Sequence, residues 1–465
     1  MKKKSADLRG KLTALHSRMG DFWWYSLMLF IACRFADVLN AFVGLWLVPK
    51  YVPPSELGAV MPLANFAAFF ALPMAVSAST FRNELSNLAL RREIGKLKTL
   101  IRGVFIASGV FLFCAIIVAR FILPHFLERI RIAEGALGLL ILVSSFVGAV
   151  SPIYANTLQA LRKFRETSLI NLVGAPIRLV TMLVAMPFRP LAGYFVGQIS
   201  TPVFTIGASV FSLRKELAVP AEPYWTRDVL RRFGRLFLIF SAGGIVGSFS
   251  LLVETTVLRQ RLPDIESAAY YMVTRFSDIA SFLYCTLSFT LFPFTAELAA
   301  KGKDMRHLIF KASAATVAFS GAIALVFAFF GKPILAFLPH GDAYAAYWWA
   351  IPWLIGIGTM GAVTNYYSTA EMSANRFGYM KWMVPLNILY PVALLIVTGH
   401  GYFTGILPAS ALALLKSLNA TSLQAMLWWQ TAIAALRLTG VAVALFTRDG
   451  AEVTRDRATQ HAAAH

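Results

Sequence analysis

The chain has 465 residues, of which 58% are hydrophobic and only 14% charged, with a mean hydropathy of +0.64. A soluble domain carries about 45–50% apolar and about 25% charged residues, so this composition excludes a soluble enzyme and points to a chain that crosses a membrane many times. The formal net charge of +20 would suggest a polyanionic partner if it were spread over one surface, but it is gathered in short segments between apolar runs, which argues against nucleic acid.

In chain order, a basic N-terminus, "MKKKSADLRGKLTALHSR", precedes twelve predicted spans at 26–48, 58–80, 104–123, 136–160, 168–188, 192–213, 236–258, 268–294, 313–335, 345–370, 381–398 and 426–447. Runs such as "VFIASGVFLFCAIIVARFIL" (104–123) reach the roughly 20 apolar residues that a bilayer crossing needs. Most of the 43 Lys and Arg fall in alternate loops, including "LRREIGKLKTLIR", "LRKFR", "RDVLRRFGR" and "KGKDMRHLIFK". That asymmetry is expected to place those loops and both termini in the cytoplasm. The first span follows the basic run at full length with no small-residue cleavage site, so it is expected to remain. "FWWY" (22–25), "YWWAIPW" (347–353) and "LWW" (427–429) read as interfacial aromatic anchors.

Chemistry-bearing patterns are sparse. Cys33, Cys114 and Cys285 stand singly in apolar runs, and no HExxH, CxxC or Walker lysine is present. "GIGTMG" (356–361) fits a dinucleotide pattern in letters only, because it lies inside a span and reads as a helix-packing surface. No enzyme activity, cofactor or metal is expected.

The chain repeats itself. Val150, Tyr154, Lys163 and Phe164 are answered 213 residues later by Val363, Tyr367, Arg376 and Phe377. At the same spacing "ANFAAF" (64–69) overlies "SDIASF" (277–282), and Glu84 and Leu85 overlie Glu297 and Leu298. An even number of spans separates the copies, so they cross in the same direction. The expected fold is an all-α polytopic membrane protein with about twelve transmembrane helices in two parallel-repeat six-helix lobes. The expected divisions are a basic N-terminus (1–21), an N-lobe of spans 1–6 (22–213), a basic linker (214–235), a C-lobe of spans 7–12 (236–447) and a cytoplasmic tail (448–465). Paired lobes of this kind typically work by alternating access around a cavity near the midplane. Tyr154 and Tyr367, near the cytoplasmic ends of spans 4 and 10, are expected to change accessibility as the lobes rock apart. Within the linker, Thr226 is expected to cap a short helix lying on the membrane surface.

The segment "VETTVLRQRLPDIESAAYYMVTRF" (253–276) resembles the start of the second half in bacterial polysaccharide exporters, the O-antigen-type oligosaccharide flippases of the multidrug/oligosaccharidyl-lipid/polysaccharide (MOP) superfamily. Glu254 stands at that family's acidic position in span 7, and Tyr271 with Arg275 at the entry to span 8. "VPPSELGAVMPLANF" (52–66) resembles the matching loop of the first half. Glu at 254 replaces the more usual Asp, and Thr274 stands where Ala is common. The resemblance implies flipping of a polyprenyl-diphosphate-linked oligosaccharide from the cytoplasmic to the outer leaflet for surface polysaccharide assembly. It implies the lipid-linked substrate, membrane lipid and polysaccharide polymerase machinery as partners.

Charges at membrane depth are costly and therefore mark candidate sites. They are Arg34, Asp37, Arg178, Glu254, Arg275, Asp278 and Arg437, four positive against three negative. Arg34 with Asp37 and Arg275 with Asp278 are three apart on one helix and can pair locally. Arg178 and Arg437 have no acid within a turn, which makes them the better ligands for a diphosphate, since guanidinium groups bind phosphate oxygens in pairs. The competing readings are a cation-coupled drug or metabolite antiporter on the same fold, a peptidoglycan-precursor flippase, and a membrane-embedded polymerase.

Overall fold

The structure is a computed structural model describing residues 28, 30–132, 135–300, 304–373, 378–397 and 422–447. The basic N-terminus, the long loop after span 11 and the C-terminal tail lie outside the described residues. Twelve long helices are described, one for each predicted span. They are α1 (Phe30–Tyr51), α2 (Val60–Leu90), α3 (Ile94–Arg129), α4 (Gly135–Ala160), α5 (Phe164–Ala185) and α6 (Pro190–Leu213) in the first half. The second half has α7 (Arg227–Arg261), α8 (Asp264–Ala300), α9 (Arg306–Phe337), α10 (Ala350–Ser373), α11 (Met380–Val397) and α12 (Leu423–Thr447). Eight candidate membrane spans are long and apolar enough to cross a bilayer, and no strand occurs among the described residues. The protein is an all-helical, multi-pass membrane protein. Helices satisfy every backbone group within one segment, which is the condition for crossing hydrocarbon.

α3 and α9, the third helix of each half, are among the least buried spans. They present Phe113, Phe121, Phe329 and Phe337 outward, each at least 66% exposed. In water such a sheath would aggregate; against acyl chains it is solvated.

The chain forms two compact units. The first comprises residues 1–43, 66–128 and 133–244; the second comprises 44–65, 129–132 and 245–465. α1 passes from one unit to the other at Val43 and Gly44, inside a wider-wound turn over Val43–Leu47. α2 passes at Asn65 and Phe66, and α7 at Gly244 and Ile245. The same pairings recur in both units: α4 and α5 pack on α6 in the first, and α10 and α11 pack on α12 in the second.

The first unit has its core at the end that carries the basic turns. Leu85 and Leu88 of α2, Leu97, Leu100 and Val104 of α3, and Ile153 and Tyr154 of α4 pack there. The second unit has the counterpart, with Leu291 and Leu298 of α8, Ile309 of α9, and Tyr366 and Tyr367 of α10. Leu85 and Leu298, and Tyr154 and Tyr367, keep the 213-residue spacing within these clusters. Tyr154 is buried in the core of its own unit, and Tyr367 packs, half-buried, against the core of the other. The apolar clusters gave the repeated letters, because the same helix ends meet in each half. In the second unit hydroxyls cross-link the helices: Tyr284 bonds Ser320 at 2.7 Å and Thr359 at 3.0 Å, and Tyr366 bonds Thr316 at 2.9 Å. Side-chain bonds of this kind hold helices together where apolar burial gives no preference over lipid.

The linker also differs from expectation. The residues predicted as a separate surface helix open α7 itself, with Thr226 as their cap (Val229 N–H to Thr226 Oγ1, 3.4 Å). The preceding segment, 219–226, is an extended strap docked along the start of α3. Glu222 donates its N–H to the Gly95 carbonyl at 3.2 Å and accepts from Thr99 Oγ1 at 2.6 Å, and Lys98 Nζ bonds the Val219 carbonyl at 3.0 Å. Tyr224 donates to Glu84 at 2.6 Å, and Trp225 lies over Gly103, where an added Cβ would sit 2.5 Å from the indole nitrogen. Strap and α7 then complete the core, Trp225 packing on Phe81 and Phe233.

Candidate functional site

Of the seven charges predicted at membrane depth, Arg34, Asp37 and Arg178 fall in the first unit and Glu254, Arg275, Asp278 and Arg437 in the second. In the first, Arg34 and Asp37 on α1 form the expected three-apart ion pair, with Arg34 Nη2 3.1 Å from Asp37 Oδ2. One turn further on, Asn40 accepts from Arg178 Nη1 of α5 at 2.8 Å. A cavity of about 210 Å³ opens beside them, lined by Asp37, Asn40, Asn171, Arg178 and Thr201. α5 runs through Pro176 without a break, and α6 closes on it where Thr201 Oγ1 donates to the Gly174 carbonyl at 3.0 Å. A side chain at 174 would press on the Thr201 methyl, so Gly174 permits this approach. α1, α5 and α6 thereby hold a polar pocket inside an otherwise apolar unit.

In the second unit, Arg275 and Asp278 on α8 also form their local pair, at 2.9 Å, and the Arg275 guanidinium carbon lies 5.1 Å from the centre of the Tyr271 ring. A separate group gathers on four helices. Glu254 of α7 accepts from Gln430 Nε2 of α12 and from the Tyr270 hydroxyl of α8. Gln430 Nε2 also bonds the Tyr270 oxygen at 2.7 Å, and Tyr390 of α11 adds a further hydrogen bond to the carboxylate. Arg437 of α12 lies within electrostatic reach of Glu254, its guanidinium carbon 5.8 Å from the Tyr390 ring centre. A cavity of about 330 Å³ is lined by Glu254, Tyr270, Ser277, Gly358, Gln430 and Arg437.

Arg437 therefore does have an acidic neighbour, supplied by a helix 183 residues earlier in the chain. Arg178 likewise shares its cavity with Asp37, although its own helix offers no acid within a turn. Counting charges alone missed Asn40, Asn171, Thr201, Tyr270, Tyr390 and Gln430. A signal existed for Asn40, which follows Asp37 by three residues and so shares its helix face. A lone Gln at 430 in an apolar span was a second. No group of three or more metal-ligating side chains occurs among the described residues.

No protein-family model and no curated protein matches the chain in sequence. Solved structures do match in fold. An inward-facing multidrug resistance MATE family transporter of the MOP superfamily aligns with TM-score 0.65 and 12% identity, over 90% of this chain and 96% of that one. The lipid II flippase MurJ, in an inward closed conformation, aligns with TM-score 0.61 and 16% identity, over 90% and 87%. A MOP superfamily transporter from Pyrococcus furiosus, described as having a binding pocket of reverse polarity, aligns with TM-score 0.55 and 13% identity, over 92% and 95%. At these identities the likeness establishes the fold: that of the MOP transporters.

Proposed function

We propose that this chain is an alternating-access flippase that moves a polyprenyl-diphosphate-linked oligosaccharide from the cytoplasmic to the outer leaflet, with both termini cytoplasmic in a cell (inner) membrane. The observation that carries the reading is the charge balance at membrane depth. Three acids stand against four arginines, and of these seven the first unit holds Arg34 and Arg178 against Asp37. Multidrug exporters of cations need acidic cavities; an excess of guanidinium favours an anionic headgroup. Arg178 lines a cavity with amides and a hydroxyl at hand, a donor set suited to phosphate oxygens. A fold shared with a lipid II flippase supports a lipid-linked substrate. Arg34, Asp37, Arg178, Glu254, Arg275, Asp278 and Arg437 are the residues we assign to the transport path, with Arg178 as the diphosphate ligand.

The test is deletion of the gene followed by extraction of polyprenyl-linked glycans. Accumulation of a lipid-linked oligosaccharide on the cytoplasmic side is the expected result. Unchanged glycolipids with new sensitivity to cationic drugs would overturn it in favour of the antiporter reading.

A further inference from the structure

The cavity of the second unit has a chemistry of its own. Its volume of about 330 Å³ falls in the range of small-molecule pockets, about 300–1,000 Å³. Glu254 is answered in charge by Arg437, so the pair is balanced before any ligand arrives. Gln430 is 5% exposed and spends its amide N–H groups on Glu254 and Tyr270, yet its carbonyl oxygen is buried with no donor. Arg437 Nε is buried with no acceptor. Two such orphans, one of each kind, are costly where no water reaches, unless a ligand completes them.

The complement of that pair is a group that both donates and accepts. A bare cation could satisfy the Gln430 oxygen, but it would be repelled by Arg437 and would leave Nε unpaired. A phosphate could satisfy Nε, but it would face Glu254 and leave the Gln430 oxygen unpaired. A polyol can donate to one through one hydroxyl and accept from the other through a second, with further hydroxyls for Tyr270 and Ser277. The remaining walls are apolar, with Leu354, Ile357, Met383 and Ile433 around the glycines of α10. Gly361 leaves open space where a side chain would stand. A pyranose ring presents this combination, an apolar C–H face with hydroxyls at its edge.

We propose that this cavity is a saccharide subsite, in which Gln430 and Arg437 bind ring hydroxyls and the open floor at Gly361 receives the sugar face. This deepens the flippase reading and rests on it for the origin of the sugar. It assigns the glycan to the second unit, apart from the phosphate ligands of the first.

The experiment uses the full chain in lipid nanodiscs and free glucose, galactose, N-acetylglucosamine and glucuronate, with saturation-transfer NMR as readout. At least one of the four is expected to bind. Its affinity should fall about tenfold or more in Gln430→Leu, which removes the orphan acceptor, and in Gly361→Leu, which fills the floor without touching a polar group. Gly109→Ala, on α3 with nothing within 4 Å of the added carbon, should bind it as the wild type does. Two variants with different chemistry guard against misfolding, and each is scored only if its melting curve matches the wild type. Should a variant unfold, the other decides. Binding of none of the four sugars, or equal binding by both variants, would overturn the subsite. So would sodium binding lost in Gln430→Leu without any sugar signal. The probes contain no lipid or diphosphate, so this result is independent of whether lipid-linked oligosaccharide accumulates on gene deletion.

Discussion

Arg259 and Asp264 form an ion pair of 2.7 Å across the turn from α7 to α8, and Arg259 is 1% exposed. The same guanidinium donates to the Ser55 carbonyl at 2.6 Å and the Ile130 carbonyl at 3.1 Å. Asp264 also receives Arg131 at 3.0 Å, a residue held in the left-handed region at φ 60°. One side chain thus pins three separate chain segments of the second unit. Arg259→Ala leaves two carbonyls without their donor and should destabilise the protein by about 3 kcal/mol, the lower end for a broken buried pair because Asp264 is open to water. Arg259→Lys should recover only part of this, since an ammonium lacks the planar fork. Thermal unfolding in detergent measures both.

Arg178 separates charge from geometry. Arg178→Lys keeps the charge and loses the fork, so on the proposed function flipping of lipid-linked oligosaccharide should fall about tenfold with protein level unchanged. Arg178→Ala should fall further, and Asp37→Asn should not restore it. A purely structural arginine would behave otherwise: Ala would lower the amount of folded protein, and neutralising Asp37 would bring it back. Proteoliposome flipping together with quantitative membrane blots distinguishes the two.

The strap is fixed by two close approaches. A Cβ at Gly95 would come within 2.8 Å of the Pro220 carbonyl, and one at Gly103 within 2.5 Å of the Trp225 indole nitrogen. Gly103→Leu should lift Trp225 off α3 and make residues 219–226 a site of rapid proteolysis. Gly95→Ala should do the same more mildly. Gly109, on the same helix with nothing within 4 Å, is the control: Gly109→Ala should leave digestion unchanged.

Lys163 and Glu216 give a pH dependence. Burial raises the Glu216 carboxyl, but the Lys163 hydrogen bond, a backbone hydrogen bond and the nearby positive charges outweigh it, and the group is held below its ordinary range. Lys163 Nζ lies 2.6 Å from Glu216 Oε1 and also bonds the Ser212 carbonyl at 2.7 Å. A depressed carboxyl contributes stability above its unfolded pKa and loses it as pH falls through the folded value. Glu216→Gln should therefore cost about 0.5 kcal/mol at pH 7, as a partly exposed pair does. The difference from wild type should vanish under acidic conditions, as read by melting temperature against pH.

The helices were legible because each crossing writes an apolar window, and the three-apart pairs Arg34–Asp37 and Arg275–Asp278 because helix geometry fixes their distance locally. The reach of α7 was not. Its first turns are polar, and hydropathy saw only 236–258 of a helix that runs Arg227–Arg261. The Glu254–Arg437 neighbourhood was invisible for a different reason: its members lie 183 residues apart, and only tertiary packing sets α7 beside α12. Trp225 was likewise one aromatic in a basic loop until Gly103, 122 residues earlier, showed the surface it covers.

The docked strap bears on how the two halves of the chain are joined. The 213-residue spacing suggests two cassettes joined by a tether, yet one unit boundary falls at Gly244 and Ile245, inside α7. A cut before residue 214 would take Tyr224, Trp225 and Phe233 away from the hydrophobic core they complete. A cut after the strap would leave Phe233 on the wrong fragment, because α7 serves the first unit up to Gly244 and the second from Ile245. No single break between the repeats leaves both units whole, because the second unit also takes residues 44–65 and 129–132 from the first half.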